Sequence, residues 1–448
     1  MKKNAIVYFF ISFSLFAVFV FFQQNAAFGQ AAAPSGETTV DPLKTELQGA
    51  IDLFNKTDFN GALERLKTIC AGNPGLAPPR VILAQWFSLA NQPDGMFASL
   101  NAATTDSPDD PEAFLLLGEI ALKKGETAAA TLFFQKGEIL LASFSDAAAR
   151  KKPLQISLLR NRTTLAEQRS EWKAVETYTE QRFVLEGKTP ELLRIKALAL
   201  FRQGRDKEAE ELLAQADQAA ASLPNKGLPA EAILAQLYAS RGGDDNIRRG
   251  KTFLNTAVQK YPKSKEVLSL SVNTKLADGD FDAARRLAEQ LVAEDASSKQ
   301  LLATVALFQE DYVSAEKLFQ EIVTDSPANI EASNGLALAL CEQNDEAKLK
   351  RAAEYALENV RKQTNNSDLL GTLGWTLFKA KNYQQSGQIL QQAAAGGNIS
   401  PLTAYYLAEF VLQNGGNKEQ AKQFLEAALK NGIPFAKKKA AEALLKTL

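Results

Sequence analysis

The chain has 448 residues, too many for a single hydrophobic core of ordinary size, so its length predicts several domains or an array of repeats. Its formal net charge is −1, which gives no basic excess to neutralise phosphates and argues against a nucleic-acid partner. The chain contains no histidine and only two cysteines, Cys70 and Cys341. This composition excludes histidine-based catalysis, the usual zinc sites and a disulfide framework.

The first 29 residues have the layout of a secretory signal peptide. Lys2 and Lys3 precede an apolar run over residues 5–22, and small residues follow it. Ala27 and Gly29 suit a cleavage site before Gln30, and residues 30–42 are predicted to be a flexible leader. The form of the signal predicts a bacterial, exported protein in the periplasm or cell envelope. The alternative is an uncleaved anchor in the inner membrane, since residues 5–22 reach the lower limit for a bilayer span.

From residue 43 onward a pattern recurs about every 34 residues. Its clearest element is an aromatic residue that follows Asp or Asn and precedes a small residue by three positions, at Phe59, Phe281, Tyr312 and Tyr383. With this aromatic position as the anchor, repeats fall at residues 59, 93, 127, 172, 206, 247, 281, 312, 349, 383 and 418.

Three further columns agree with this register. Prolines stand fifteen residues after the anchor, at Pro74, Pro108, Pro262 and Pro327, where they end a helix. Small residues stand three positions after the anchor and large apolar residues seven after it. The small column is Ala62, Met96, Ala130, Val175, Ala209, Gly250, Ala284, Ala315, Ala352, Ser386 and Ala421, and the large column includes Leu66, Leu100, Phe134, Leu213, Leu254, Phe319, Leu390 and Leu425.

This pattern resembles the tetratricopeptide repeat (TPR) family, whose unit is a 34-residue helix–turn–helix. The repeat at residue 172 is degenerate, with Thr179 and Arg182 where apolar residues are expected, and extra residues occur around 343–349. The resemblance covers residues 43–434 and implies an all-α fold, a right-handed α-solenoid of about ten to eleven stacked repeats. The family's signature positions in the repeat at 383 are occupied by Leu373, Gly374, Leu377, Tyr383, Ser386, Leu390 and Ala393, although Leu370 stands where the family usually has Trp.

Three segments depart from the regular repeat. Longer spacers lie around residues 143–155 and 223–231, and each is either an extended loop or helix or a bend between subdomains. Residues 435–448 are predicted to form an amphipathic helix that caps the open end of the solenoid. Its lysines, Lys437, Lys438 and Lys439, are predicted to face solvent, and the alternative is contact with an anionic surface.

Motifs for chemistry are missing from the sequence. It has no phosphate-binding glycine loop, no dinucleotide fingerprint, no Cys-x-x-Cys pair and no nucleophile elbow. We therefore predict that the protein is not an enzyme and binds no cofactor or metal. Cys70 and Cys341, in the first and ninth repeats, are predicted to be packing residues too far apart for a disulfide.

Four aromatic residues in the last two repeats form the candidate partner-binding site. In the TPR family the first helix of each repeat lines the concave surface, and the resemblance places Trp375, Phe378, Tyr406 and Phe410 there. Each pair shares a helix face, because its members are three or four residues apart. Such a cluster suits the anchors of a helical or extended peptide. The alternative is that all four are core residues, covered by neighbouring repeats or by the segment after Phe435.

The predicted function is a non-catalytic scaffold outside the cytoplasm that binds a protein or peptide on the concave face. The first alternative is an accessory component of a cell-envelope polysaccharide or protein secretion or assembly system. The second is an enzyme or carbohydrate binder that uses the aromatic groove.

Overall fold

The computed structural model describes residues 42–144, 148–224, 226–397, 399–430 and 433–448. Over these ranges the chain forms 23 α-helices and one short 3-10 turn, with no β-strand, which confirms the predicted all-α repeat fold. The predicted signal segment, residues 1–29, and residues 30–41 of the predicted leader lie outside the described residues, whereas Pro42, the last residue of that leader, begins a helix. No helix in the described part combines the length and the apolar composition that a membrane span requires.

The described helices belong to two compact units, divided between Ala230 and Glu231. The helices up to that division are α1 (Pro42–Asn55), α2 (Phe59–Gly72), α3 (Pro79–Leu89), α4 (Pro93–Asp106), α5 (Glu112–Lys123), α6 (Thr127–Ser143), α7 (Ala148–Gln168), α8 (Trp172–Glu186), α9 (Pro190–Arg202) and α10 (Asp206–Ala220). Those that follow are α11 (Ala230–Arg241), α12 (Asp244–Lys260), α13 (Lys265–Asp278), α14 (Phe281–Glu294), α15 (Lys299–Phe308), α16 (Tyr312–Asp325), α17 (Ile330–Cys341), α18 (Glu346–Lys362), α19 (Ser367–Lys379), α20 (Tyr383–Ala395), α21 (Pro401–Gln413), α22 (Lys418–Leu429) and α23 (Lys438–Leu445).

Helices α1 to α22 form eleven consecutive pairs, each a helix–turn–helix repeat. The second helix begins at the predicted anchor residue in nine of them. In the other two it begins one turn earlier, at Asp244 and at Glu346, and this extra turn accommodates the additional residues noted around 343–349. The columns nevertheless keep the predicted register. All eleven small-column residues are buried except Met96, which is half-buried, and every named large-column residue is buried.

The Asp or Asn before each aromatic anchor is a helix N-cap. Asp58 accepts a hydrogen bond of 2.9 Å from the backbone N–H of Gly61, three residues into the helix. The carboxylates of Asp280 and Asp311 and the amide oxygen of Asn382 make the same contact in their own repeats. A capping side chain satisfies a backbone donor that the helix leaves unpaired, so this position favours Asp and Asn for a physical reason.

The turn inside each pair contains a residue with a positive φ angle, and the turn between α11 and α12 contains two, Gly242 and Gly243. Gly125, Gly204 and Gly279 take φ angles of 76°, 81° and 74°, which glycine adopts without a Cβ clash. Other repeats place a residue with a Cβ atom in the same conformation, among them Glu310 at 59° and Lys381 at 62°. A left-handed turn residue is therefore common to the repeats, whereas a glycine at that position is not.

The degenerate repeat at residue 172 satisfies its buried polar groups locally. Thr179 is fully buried, and its hydroxyl donates to the carbonyl of Val175 one turn earlier, at 2.7 Å. Arg182 is 2% exposed, and its Nε donates to Glu186 at 2.7 Å. Polar residues can occupy an apolar column here because each has a hydrogen-bond partner on its own helix.

The two spacers have different structures. Most of residues 143–155 belongs to α7, a 21-residue helix that contains Pro153 and is held to the preceding repeat by Arg150, which pairs with Asp110 and Glu112 at 2.9 and 2.8 Å. The second spacer leads into α11, whose first backbone N–H donates to Asp217 at 2.8 Å. The division between the compact units falls at the end of this second spacer.

Candidate functional site

Trp375 lies at the centre of an aromatic cluster between the last two helix pairs. It follows Gly374 on α19, and a Cβ atom at Gly374 would lie 2.6 Å from Leu390, so the glycine allows α19 and α20 to pack closely. The indole ring stacks on Tyr406 of α21 with centroids 4.4 Å apart and planes 9° apart. On its own helix it stacks on Phe378 at 5.2 Å.

The four predicted site residues lie together, as the sequence suggested, but three of them are buried. Trp375, Phe378 and Tyr406 are 5%, 6% and 3% exposed. Phe410 is partly buried, 6.1 Å from Phe378 between ring centroids, and its ring would lie 2.7 Å from a Cβ atom at Gly387. This burial favours the core alternative for the three rings, whereas binding of an external partner by these residues stays a prediction.

Glu342 is a member of this cluster that the sequence did not predict. It is the C-cap of α17, and its carboxylate accepts a hydrogen bond from the indole N–H of Trp375 at 2.8 Å. Its side chain is only 9% exposed, and the ammonium groups of Lys437 and Lys379 lie 3.3 and 3.8 Å from it. A buried carboxylate requires such partners, because its desolvation is otherwise costly. The aromatic cluster therefore contains a carboxylate that lies close to two ammonium groups.

The residues after α22 pack against this cluster. We call residues 433–448 the carboxy-terminal segment. Phe435 is 6% exposed and belongs to the same buried cluster as Trp375 and Tyr406. Lys437 pairs with Glu342 and donates a hydrogen bond of 2.5 Å to the Tyr312 hydroxyl. The helix predicted within residues 435–448 is present as the shorter α23, and Ala441 is its buried contact.

Burial and neighbouring charges shift the pKa values of several titratable groups in the cluster. Burial opposes the charge on Lys437, but the Glu342 carboxylate and the hydrogen bond to Tyr312 raise its pKa above the ordinary lysine value. Burial raises the pKa values of Tyr312 and Tyr406 and raises that of the Cys341 thiol to about 12. The pair formed by Lys437 and Glu342 therefore lies among aromatic rings of the buried cluster.

Both cysteines are free thiols, and Cys341 is buried among apolar residues whereas Cys70 is half-buried. No group of three or more cysteine, aspartate and glutamate side chains in the described ranges has an arrangement suited to a metal ion. The polar contacts described for the cluster join its side chains to one another, and they pack the cluster together.

The comparisons with known proteins agree with the repeat architecture. Residues 98–149, from α4 to the start of α7, match the family model described as tetratricopeptide repeat. A search of curated proteins found no match.

Three similar solved structures have low sequence identity to this chain. A tetratricopeptide repeat protein from Parabacteroides merdae is 15% identical, with coverage of 57% of this chain and 97% of that one and a TM-score of 0.45. Yeast Tom70 is 13% identical, with coverage of 90% and 95% and a TM-score of 0.37. The human IFIT1 dimer with PPP-AAAA is 14% identical, with coverage of 75% and 81% and a TM-score of 0.42. The family-model match is confined to residues 98–149, and the eleven helix pairs give the described chain the same helix–turn–helix repeat architecture.

Proposed function

We propose that this protein is a non-catalytic scaffold that holds a protein or peptide partner outside the cytoplasm. One observation carries the proposal: the compact unit after residue 230 already holds a peptide segment, its own residues 433–439, against side chains of several earlier repeats. A surface that orders a short segment through an aromatic anchor and a charged pair has the chemistry that peptide recognition requires.

The compartment is proposed from the amino-terminal signal alone. Lys2, Lys3 and the apolar run before Gln30 support export to the periplasm or cell envelope. Residues 1–42 fused to a reporter enzyme that folds only in an oxidising compartment should give active reporter, and Lys2→Glu with Lys3→Glu should reduce it. An inactive reporter from the unchanged fusion would refute the export proposal.

Photo-crosslinking in intact cells tests the scaffold function. A photoreactive amino acid at Glu310, whose side chain is 55% exposed beside Lys437, should trap a protein partner. The matched control is the same amino acid at Leu357, which is 42% exposed in the same compact unit but belongs to the second helix α18. A specific product from residue 310 and none from residue 357 supports the proposal. If no position in either compact unit traps a protein, the scaffold function is wrong.

A further inference from the structure

The carboxy-terminal segment makes contacts that repeat packing alone does not provide. In a solenoid each repeat contacts its immediate neighbours. Lys437 follows the eleventh helix pair, yet it bonds to Tyr312 of the eighth pair, 125 residues earlier. Lys439 lies over the ring of Phe281, in the seventh pair, with its Nζ atom 5.1 Å from the centroid. The segment therefore reaches back across several repeats, which a cap on the last repeat would not do.

Two lysines of the segment contact rings at equivalent repeat positions. Phe281 and Tyr312 are the first residues of the second helix in neighbouring pairs, the anchor position of the repeat. The Nζ atom of Lys437 lies 5.1 Å from the Tyr312 ring centroid, the same distance that separates Lys439 from Phe281. An ammonium group at this distance from a ring face is attracted by the ring's quadrupole. Successive repeats thus supply successive positions for a lysine.

Two carboxylates make the first of these positions selective for a cation. Glu342 lies 3.3 Å and Glu310 3.9 Å from the Nζ atom of Lys437. The Lys437 side chain is 14% exposed, so a neutral or negative side chain in its place would leave the buried Glu342 with weaker compensation. We call Phe281, Glu310, Tyr312 and Glu342 the lysine-binding surface.

We propose that the lysine-binding surface recognises a partner segment in which an aromatic residue is followed two and four positions later by lysine. The carboxy-terminal segment, with Phe435, Lys437 and Lys439, carries this pattern and occupies the surface as an intramolecular competitor until a partner displaces it. The inference rests on the proposed function and specifies its partner. A tethered competitor acts at an effective concentration in the millimolar range, so only a partner with further contacts or high local concentration displaces it.

A peptide-binding measurement on the full chain tests this. The probe is a fluorescent peptide with the sequence of residues 433–448, and the binding variant is Lys437→Glu, which repels the segment from Glu342 and opens the surface. The matched control is Lys446→Glu, which makes the same charge change at an exposed residue of the same segment. Lys437→Glu should bind the peptide at least about 10-fold more tightly than the unmodified protein and the control do. A peptide with Lys437→Glu and Lys439→Glu should not bind.

A folded Lys437→Glu variant that binds the peptide no better than the unmodified protein would overturn the inference. If this variant does not fold, deuterium exchange on the unmodified protein decides the question. Excess isotopically labelled peptide should then accelerate exchange at residues 435–441, and unchanged exchange would overturn the inference. A partner trapped at residue 310 without peptide binding removes this inference and leaves the scaffold function intact. Peptide binding with no trapped partner would show that the surface binds its own segment, and it would overturn both the recognition of a partner and the scaffold function.

Discussion

Replacement of Trp375 separates a core role from a binding role for the aromatic cluster. The ring is 5% exposed, stacks on Tyr406 and Phe378, and bonds to Glu342. If its main role is to hold α19 against α21, Trp375→Ala must destabilise the second compact unit strongly. If the ring mainly awaited an external partner, the same change would leave stability almost intact.

The magnitude follows from what the substitution removes. A buried aromatic side chain covers about 150–250 Å², which at about 25 cal/mol per Å² is roughly 4–6 kcal/mol as an upper estimate. Measured Trp-to-Ala changes in cores fall at about 3–5 kcal/mol. Trp375→Phe keeps most of the ring and loses the hydrogen bond to Glu342, which retains its two lysine contacts. We expect it to cost about 1–2 kcal/mol.

Scanning calorimetry and urea unfolding monitored by circular dichroism measure both variants. For a unit of about 200 residues, 4 kcal/mol corresponds to a fall of roughly 8–16 °C in Tm. Leu357→Ala, which truncates a side chain that is 42% exposed in the same compact unit, is the control and should change Tm little. A fall in Tm of less than about 2 °C for Trp375→Ala would refute the core role. It would favour the hypothesis that the four aromatic residues bind a partner.

Three other residues give independent predictions. Asn359 is fully buried, and neither of its side-chain polar atoms has a hydrogen-bond partner within the described chain, so Asn359→Leu should raise the free energy of unfolding by about 1–3 kcal/mol in urea titrations. Lys381 has a φ angle of 62°, and Lys381→Gly should stabilise by about 0.5–1 kcal/mol in the same assay because glycine adopts this conformation without a Cβ clash. Burial raises the pKa of Glu167 to about 7, against the opposing charge of Arg182. The folded state therefore binds an extra proton between about pH 4.5 and pH 7, stability falls as pH rises through this window, and Glu167→Gln should remove that fall.

Each of these predictions has a result that would contradict it. A destabilised Asn359→Leu variant would show that the amide is satisfied by bound water or that the larger side chain does not fit. Lys381→Ala keeps a Cβ atom in the left-handed turn. If it stabilises the protein as much as Lys381→Gly does, backbone strain is not the cause of the stabilisation. For Glu167, the free energy of unfolding is measured against pH for the unmodified protein and for Glu167→Gln. If it has the same slope between pH 5 and pH 7 in both, Glu167 is not the group that titrates.

The fold was predictable because its determinants are local and recur. The small column, the large column and the Asp or Asn cap each act within one repeat or between neighbours, so eleven copies reveal them without any long-range information. The two helices that begin a turn early, at Asp244 and Glu346, were placed late because the small and large columns that set the register record burial, whereas the added turn is mostly polar and exposed. Element boundaries depend on caps, and the burial pattern does not report them.

The candidate site was predictable only in part. The resemblance to the tetratricopeptide repeat family placed Trp375 and Tyr406 together correctly, since both lie on first helices of adjacent repeats. Nothing in the sequence distinguished Glu342 from the other carboxylates of the chain, because its burial depends on Trp375, 33 residues later, and on Lys437. The lysines of the terminal segment were expected to face solvent, and Lys437 is instead largely buried.

The contact between Lys437 and Glu342 is better explained by specificity than by stability. A buried ion pair loses much of its electrostatic gain to desolvation, and an apolar pair of the same volume often stabilises a core as well or better. An apolar side chain at residue 437 would suit the surrounding rings of the cluster, but it would fit many positions along an apolar surface. The ammonium group of Lys437 lies close to two carboxylates, Glu310 and Glu342. This pair of partners fixes where the segment lies along the repeats. The same selectivity would operate on a lysine from another chain, which is why a contact of modest net energy can identify the chemistry of a partner.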